Sequence, residues 1–451
     1  MAGVLLIVFA VLLGKTRERV GSPVTLTPLA LVLLLLAGLP LCQWAFGQVH
    51  FVGHALLGTT YFLAAALCVA MAQYWEEVKP NAVGDFLFAA ILIAALVTSG
   101  LMLTQWLQLS GLDVWIHSVG FGSRPFGNLI QPNHAASLLV LGMVSLLWWV
   151  HRGRLGVVIC FLGASYISVF VAMSGSRIGL LSLSILVVTA SVILWRMRPR
   201  GGWWCVLLVQ WLLIPLAAVL FSWDWGPGGS NATLGPSGAL QRELAGARQE
   251  VYTGYLKAVL HHVWLGYGFA QSVHAQAYLG DIGIELPGLF TWAHNAFLDL
   301  ALWFGAPVAI IAFVVVVFTV WRLMAAPWST SRWIYMAGVF VIFLHGMVEL
   351  PLTYLYFLLP IALLSGAAQA GARLPNLKIP RNAVTGALAG MGIYLAALCY
   401  DYLRIEHAFT IWRFKQNNVG TYHPNYVPDT LVLGQFRALL TGLRADAGLL
   451  S

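Results

Sequence analysis

Hydrophobic residues in this chain occur in long runs rather than in the alternating pattern of half-buried strands. Eleven apolar stretches approach the ~20 residues that a helix needs to cross a bilayer. They cover roughly residues 25–43, 51–73, 85–107, 132–150, 155–173, 178–195, 203–222, 295–321, 333–347, 351–371 and 383–402. A run from Val4 to Leu13 precedes them and is short for a span. The pattern predicts an all-α, polytopic integral membrane protein with about 11–12 transmembrane helices.

Two polar regions divide this pattern into four parts. Residues 1–221 are predicted to hold the first set of transmembrane helices and residues 294–402 the second set. Between them lies a long polar loop, 222–293, and after them a small helical tail, 403–451. Within the loop, apolar residues recur at helical spacing from about residue 240 to 262. This spacing predicts an amphipathic helix that lies along the membrane surface.

Composition supports the membrane assignment and excludes several kinds of site. Of the 451 residues, 60% are hydrophobic and only 9% are charged, against roughly 25% charged in soluble domains. The net charge of +8 is spread over the loops rather than gathered in a basic patch, so no nucleic-acid partner is predicted. All five cysteines lie in apolar segments without a C-x-x-C pair, which argues against a disulfide framework and a zinc site.

Positive charges predict the orientation in the membrane. Fourteen lysines and arginines lie in alternate connections, at residues 15–19, 79, 152–154, 196–200, 322–332 and 373–381. The short connections of the opposite parity hold only Arg124 and Arg177. Because cytoplasmic loops carry the excess of basic residues, the first set is predicted to be cytoplasmic.

The distinctive polar elements then fall together on the other face. They are the loop around Arg124, the Ser174-Gly-Ser-Arg177 corner, the 222–293 loop, His294, the corner from His345 to Pro351 and the tail. This coincidence predicts a single extracytoplasmic active site.

The pair His294-Asn295 stands where the long loop gives way to an apolar run. In a membrane protein this is the boundary between water and hydrocarbon. An imidazole held there can reach a polar head group while its helix stays anchored in lipid. The alternative is an ordinary interfacial histidine at the start of a helix.

Three arginines, Arg124, Arg177 and Arg248, lie at or beyond the face that is poor in basic residues. A guanidinium is always charged and binds phosphate through two parallel hydrogen bonds. Arginines at this depth therefore suit a diphosphate whose lipid tail lies in the bilayer. The alternative for each is a snorkelling or salt-bridged interfacial arginine.

Two further segments supply polar candidates on the same face. Gln131-Pro-Asn133-His134 opens a span, with the proline as a helix-start signal and the polar residues as lining. The later corner carries Glu349 and Tyr354; the carboxylate is predicted to pair with an arginine or to form a structural ion pair. The histidines of the long loop have no H-x-x-x-H or H-E-x-x-H spacing, and no nucleotide-phosphate loop occurs, so no metal or cofactor is predicted.

Together these motifs resemble the bacterial O-antigen ligase superfamily. The resemblance rests on the segment from Arg124 to His134, Ser174-Gly-Ser-Arg177, the run from Arg248 to Gln271, and His294-Asn295 with Gly305. The N-P-N-H-like segment, Glu349-Leu-Pro-Leu-Thr-Tyr354 and the tail 400–404 look most like the PglL/PilO-type protein O-oligosaccharyltransferases.

The resemblance implies a GT-C-type enzyme of the bacterial inner membrane that works without a metal or cofactor. It would take a glycan from undecaprenyl diphosphate at the periplasmic face and attach it, with inversion, to a Ser/Thr hydroxyl of a periplasmic protein such as a pilin. Arg177 and Arg248 would hold the diphosphate, and His294 would position or deprotonate the acceptor. The implied substrate-binding residues are Arg124, Gln131, Asn133, His134, Asn295, Glu349 and Tyr354.

Two alternatives stay open. Within the same chemistry, the acceptor could be the lipid A core, as in an O-antigen ligase, or a growing glycan, as in a polymerase. From another class, the chain could be a transporter of lipid-linked glycans. Transporters place ionisable groups near the bilayer midplane, whereas the mid-span regions here are almost free of charge, which disfavours that class.

Overall fold

The structure, a computed structural model, describes residues 24–109, 115–120, 123–129, 131–197, 202–220, 236–417, 419–420 and 426–446. Within them, the side chains of residues 214, 215, 217–220, 236–248, 381 and 444–446 are not described. The described ranges contain fifteen α-helices and one two-stranded sheet. The all-α class predicted from the sequence is therefore confirmed. The predicted N-terminal run, residues 4–13, lies outside the described residues.

The helices fall into three groups along the chain. Seven precede the polar loop: α1 (Pro28–Ala45), α2 (Val52–Val78), α3 (Ala82–Trp106), α4 (Pro132–His151), α5 (Val157–Met173), α6 (Arg177–Met197) and α7 (Trp203–Leu220). The loop contains α8 (Pro236–His261) and α9 (Ser272–Asp281). After it come α10 (Ala296–Phe304), α11 (Ala306–Ala325), α12 (Thr330–Gly346), α13 (Leu355–Gln369), α14 (Arg381–Gln416) and α15 (Gly434–Asp446).

Seven of the described helices are long and apolar enough to cross a membrane: α1, α2, α3, α4, α6, α11 and α14. Three more apolar segments are shorter, namely Val157–Met173, Trp203–Leu213 and Leu355–Gln369. These lengths and compositions are those of a multi-pass membrane protein.

Helix α4 lies at the centre of the bundle, where it packs against α3, α5, α6 and α12. Small residues allow this close approach. A Cβ added at Gly142 would lie 2.7 Å from the Cβ of Ala95, and one at Gly179 would lie 2.5 Å from the Cβ of Ala136. Helices in lipid associate through close packing of small residues, because the hydrophobic effect gives them no mutual attraction there.

Polar clusters mark the two ends of α4. At its C-terminal end, Arg152 makes a bidentate ion pair with Asp85, at 2.9 and 3.1 Å. Nearby, Tyr335 donates to the buried carboxylate of Glu76 at 2.8 Å. The candidate site begins at the other end, at Pro132, about 30 Å away along a 20-residue helix. The sheet is small: β1 (Val24–Leu26) pairs antiparallel with β2 (Leu377–Ile379), with Thr25 opposite Lys378.

The sequence predicts one continuous span over residues 295–321. This prediction is wrong in one respect, because the helix is interrupted at Gly305 and forms two helices, α10 and α11. Gly305 has a φ of +89°, and a Cβ there would lie 2.3 Å from the carbonyl oxygen of Trp264. The backbone groups freed by the break find partners in the preceding loop. The Tyr267 N–H donates to the Leu302 carbonyl at 2.6 Å, and the Ala306 N–H donates to the Val263 carbonyl at 2.7 Å. The break therefore leaves none of these backbone groups without a hydrogen-bond partner.

The predicted tail, residues 403–451, begins inside helix α14 rather than after it. Helix α14 runs without interruption from Arg381 to Gln416, through the predicted boundary at residue 402. The buried carboxylate of Asp401 accepts the backbone N–H groups of Leu431, Val432 and Leu433 at 2.7 to 2.8 Å. These three bonds tie the segment before α15 to α14.

Candidate functional site

The carboxylate of Glu349 is the centre of the candidate site. Glu349 follows α12 and is buried, with 6% of its surface exposed. Its Oε2 lies 3.1 Å from Nδ1 of His294 and accepts a hydrogen bond from Gln131 Nε2 at 3.4 Å. Its Oε1 accepts one from Asn133 Nδ2, also at 3.4 Å. Three predicted residues from two distant segments therefore meet at the carboxyl group of a fourth.

The contact with Glu349 favours one tautomer of His294. With Glu349 ionised, the carboxylate can only accept, so in the neutral imidazole Nδ1 is the donor and Nε2 keeps its lone pair. The imidazole is partly exposed, with 28% of the side chain accessible. His294 thus has a ring nitrogen that can accept a proton and a carboxylate that stabilises the resulting charge.

The backbone of His294 has a φ of +60°, in the left-handed region that residues with a Cβ rarely adopt. The next residue, Asn295, is the N-cap of α10. Its Oδ1 accepts the N–H groups of Phe297 and Leu298, and its Nδ2 donates to the Met347 carbonyl at 3.0 Å. The Asn295 side chain was predicted to bind substrate; in the structure it shapes the turn that carries His294.

A second part of the site is built where three segments meet beside Asn133. Arg124 donates from Nε to the Ser174 carbonyl at 2.7 Å and from Nη2 to Asn133 Oδ1 at 3.3 Å. Ser176 Oγ donates to the same Asn133 oxygen at 2.8 Å. Gly175, with a φ of +59°, leaves room for Arg124, because a Cβ there would lie 3.1 Å from Arg124 Nε. Asn133 therefore connects the arginine loop to Glu349.

Two positive charges lie close together at this corner. Burial and the neighbouring Arg177 lower the pKa of Arg124 to about 10, while Glu349 acts in the opposite direction. The guanidinium of Arg124 is therefore charged at pH 7 and is repelled by that of Arg177. A bound anion would remove this repulsion.

Arg177 is exposed and is the first residue of α6, after Ser176, whose Oγ accepts the Gly179 N–H at 3.1 Å. It makes no hydrogen bond or ion pair with any of the described residues. A cation at a helix N-terminus opposes the helix dipole, so Arg177 does not stabilise its own helix. The positive end of the same helix dipole favours an anion.

Arg248 lies in α8, and the structure does not describe its side chain. One turn later, Tyr252 donates from its hydroxyl to the His294 carbonyl at 3.1 Å. Helix α8 therefore runs beside the histidine. On the helix, Val251 and Tyr255 are buried and Leu256 is exposed.

Two other predicted residues occupy different surroundings. His134 is buried, with its Nδ1 3.1 Å from the Tyr356 hydroxyl and its ring packed edge-on against Tyr354 at 4.8 Å. It therefore lies beneath the site. Tyr354 has 43% of its surface exposed, so it forms part of the surface near Glu349.

Several residues that organise the site were missed by the sequence reasoning. Gln105 is one: its Oε1 accepts the N–H groups of Phe126 and Gly127 at 2.9 and 2.8 Å, and its Nε2 donates to the Gly127 carbonyl. It thereby shapes the loop that presents Arg124. A buried glutamine at the end of an apolar run was the available signal, since polar groups in such runs are costly unless paired.

The described side chains supply the groups for one kind of chemistry. They offer a proton acceptor at His294 and the carboxylate of Glu349 beside its other ring nitrogen. They also offer cationic groups, of which Arg124 is linked to Glu349 through Asn133. Such a site can bind an anionic group and deprotonate a hydroxyl. In the described part of the chain, no three His, Cys, Asp or Glu side chains lie close enough together to hold a metal ion.

Comparison with known proteins gives two family matches. A family model described as O-Antigen ligase matches residues 162–313, and one described as Protein glycosylation ligase matches residues 125–150. Arg177, Arg248 and His294 lie in the first range, and Asn133 lies in the second. Glu349 lies beyond both.

Two curated proteins of Acinetobacter baylyi are similar over much of the chain. The General O-oligosaccharyltransferase is 26% identical over 402 residues, which cover 87% of this chain and 70% of that protein. The ComP-specific O-oligosaccharyltransferase is 25% identical over 258 residues, which cover 56% of this chain and 45% of that protein.

Proposed function

The chain belongs to the family of O-antigen ligases and PglL-type protein glycosylation ligases, and we propose that it is an O-linked oligosaccharyltransferase. In this proposal it moves a glycan en bloc from undecaprenyl diphosphate to a Ser/Thr hydroxyl of a periplasmic protein. The enzyme lies in the bacterial inner membrane with its site facing the periplasm. The excess of basic residues in the opposite connections supports that orientation.

The arginines form the donor end of the proposed site. Arg177 binds the diphosphate directly, since its guanidinium is exposed and makes no hydrogen bond or ion pair with the other described residues. Arg124 adds a second positive charge, held by Ser174 and Asn133. Arg248, on the helix beside His294, completes the set in this proposal. Fixed cations of this kind stabilise the negative charge that develops on the departing diphosphate.

His294 is the proposed general base. The acceptor oxygen attacks the anomeric carbon, its proton passes to Nε2, and the bond to the diphosphate breaks with the electron pair leaving on the phosphate oxygen. Glu349 stabilises the imidazolium through Nδ1. Because the acceptor attacks directly, without an enzyme nucleophile, the configuration at the anomeric carbon inverts.

The observation that carries the proposal is a continuous set of contacts from base to cation. His294 contacts Glu349, Glu349 accepts from Asn133, and Asn133 accepts from Arg124. A general base and an anion-binding group are thus joined across three separated segments of the chain. Both are needed when a hydroxyl displaces a diphosphate.

The acceptor is proposed to be a protein, such as a pilin-like one, because residues 125–150 match a family model described as Protein glycosylation ligase. A second candidate is an O-antigen ligase, for which the acceptor is the lipid A core. The match of residues 162–313 to a family model of that description favours it. Both candidates use the same donor chemistry.

Reconstitution tests the proposal and separates the acceptors. The purified protein in liposomes is supplied with undecaprenyl-diphosphate glycan and with either a pilin-like protein or lipid A core. We expect glycan on the protein, detected by a mass increase, and at least about a hundredfold less with the His294→Ala variant. Transfer to lipid A core alone would replace the proposed acceptor with the second candidate. No transfer to either acceptor would contradict a glycosyltransferase of this kind.

A further inference from the structure

We propose that Asp299 is a positioning residue for the reaction: it holds the left-handed turn at His294 and so keeps the imidazole against Glu349. The proposal rests on the function proposed above for His294. Asp299 lies in the first turn of α10 and is buried, with 4% of its surface exposed. It does not contact the reacting groups itself; it acts through the histidine.

The turn needs to be held because it is strained. A φ of +60° brings the Cβ of a histidine close to its own backbone, and such residues persist only where the surroundings over-determine them. The backbone conformation also determines the direction of the Cα–Cβ bond. If the turn relaxed to a negative φ, the imidazole would swing away from the Glu349 carboxylate.

Asp299 bonds to the backbone on both sides of the histidine. Its Oδ1 accepts the N–H of Ala293 at 2.7 Å, and its own backbone N–H donates to the Asn295 carbonyl at 2.8 Å. The side-chain contact resembles a capping box, in which an acidic side chain reaches back to an N–H group at the start of its own helix. The Asp299 side chain therefore ties the residue before His294 to α10.

Two other contacts define the same turn from different elements. Tyr252 on α8 donates to the His294 carbonyl at 3.1 Å. Asn295 donates to the carbonyl of Met347, two residues before Glu349, at 3.0 Å. The distance between His294 and Glu349 is therefore set through the backbone as well as through the side chains. Of these groups, Asp299 is the one whose side chain bonds to the residue before the histidine.

The experiment measures glycan transfer by four forms of the full-length reconstituted protein: wild type, Asp299→Asn, His294→Ala and the double variant. In asparagine an NH₂ group, which cannot accept from the Ala293 N–H, replaces one carboxylate oxygen, so the bond to Ala293 is lost or weakened. We expect kcat to fall by about ten- to a hundredfold, the scale for a catalytic group displaced by about 1 Å. The donor KM should stay within roughly twofold, because the arginines are unchanged. In the His294→Ala background, Asp299→Asn should cause no further loss.

Controls distinguish a loss of turnover from a loss of folded protein. The stoichiometry of undecaprenyl-diphosphate glycan binding counts folded sites, and kcat is expressed per folded site. Asp281→Asn removes an exposed carboxylate on α9 and should leave turnover unchanged. If Asp299→Asn does not fold, Tyr252→Phe removes a different tether of the same turn, and we expect kcat to fall with donor KM preserved.

Three results would overturn the inference: wild-type kcat in Asp299→Asn, a tenfold change in donor KM, or an additional loss in the His294→Ala background. Wild-type turnover in a foldable Tyr252→Phe, where Asp299→Asn does not fold, would do the same. These results are distinct from failure of the proposed function, in which the wild-type protein transfers no glycan to any acceptor.

Discussion

Nδ1 of His294 lies 3.1 Å from Oε2 of Glu349, although the two residues are separated by 55 positions in sequence. The pair joins the turn before α10 to the segment after α12. Because Glu349 also accepts from Gln131 and Asn133, its carboxylate is held from two sides before any substrate is present. A base whose orientation is fixed in advance needs little rearrangement at the moment of reaction.

Removing the imidazole tests the proposed base directly. We expect His294→Ala to lower glycan transfer by at least about a hundredfold, the usual scale for loss of a positioned base. Turnover of undecaprenyl-diphosphate glycan by the reconstituted protein is the measurement. His274→Ala, which removes an exposed histidine on α9, serves as the control. Near-normal turnover in His294→Ala would remove the histidine from the mechanism.

Replacing Glu349 with glutamine removes the charge of its carboxylate and keeps the size of the side chain. We expect Glu349→Gln to lower kcat by about ten- to a hundredfold, since the amide cannot stabilise an imidazolium. The donor KM should change little, because the arginines remain in place. Steady-state kinetics at varied donor concentration provide both quantities. An unchanged kcat would show that Glu349 has only a structural role.

Arg177→Lys keeps the charge but loses the planar fork that binds two phosphate oxygens at once. We expect the donor KM to rise by about tenfold, because a bidentate contact becomes a single one. Arg437→Lys, at an exposed position on α15, is the matched control. Equal donor KM values for wild type and Arg177→Lys would refute direct diphosphate binding by Arg177.

Arg124 gives a pH dependence with a definite sign. Burial and Arg177 lower its pKa to about 10, so its positive charge is complete at neutral pH and is lost as the pH rises through that value. Donor affinity in the wild type should therefore be level up to about pH 8 and fall towards pH 10. In Arg124→Lys the fall should begin at lower pH, because an amine has a lower ordinary pKa than a guanidinium. The donor KM measured across this range is the test, and identical profiles would contradict it.

Gly305 is expected to be intolerant of a side chain. Gly305→Ala forces a left-handed φ on a residue with a Cβ and places that Cβ 2.3 Å from the Trp264 carbonyl. We expect a loss of at least about 2 kcal/mol of stability, seen as a lower melting temperature in detergent. Gly386→Ala is the control, since a Cβ there meets nothing within 4 Å. Equal melting temperatures would show that the loop at Trp264 moves aside easily.

Much of the architecture follows from local properties of the sequence. The length and apolarity of the runs predicted membrane-crossing helices, because a helix in lipid must satisfy its own backbone and expose apolar side chains. The same reasoning picked out His294 and Arg177 as polar residues at helix ends. Both lie at such ends in the structure, His294 two residues before α10 and Arg177 at the start of α6.

The contacts of these residues depended on the packing of distant segments. The sequence left Glu349 between an arginine partner and a structural ion pair; it did not predict that His294 lies 3.1 Å from this carboxylate. The break at Gly305 was also hidden, because its hydrogen-bond partners come from residues 263–268 and from Gln43. Apolarity and charge are properties of each residue and can be read from the sequence alone. Which donor meets which acceptor depends on how the helices pack, and that only the tertiary structure decides.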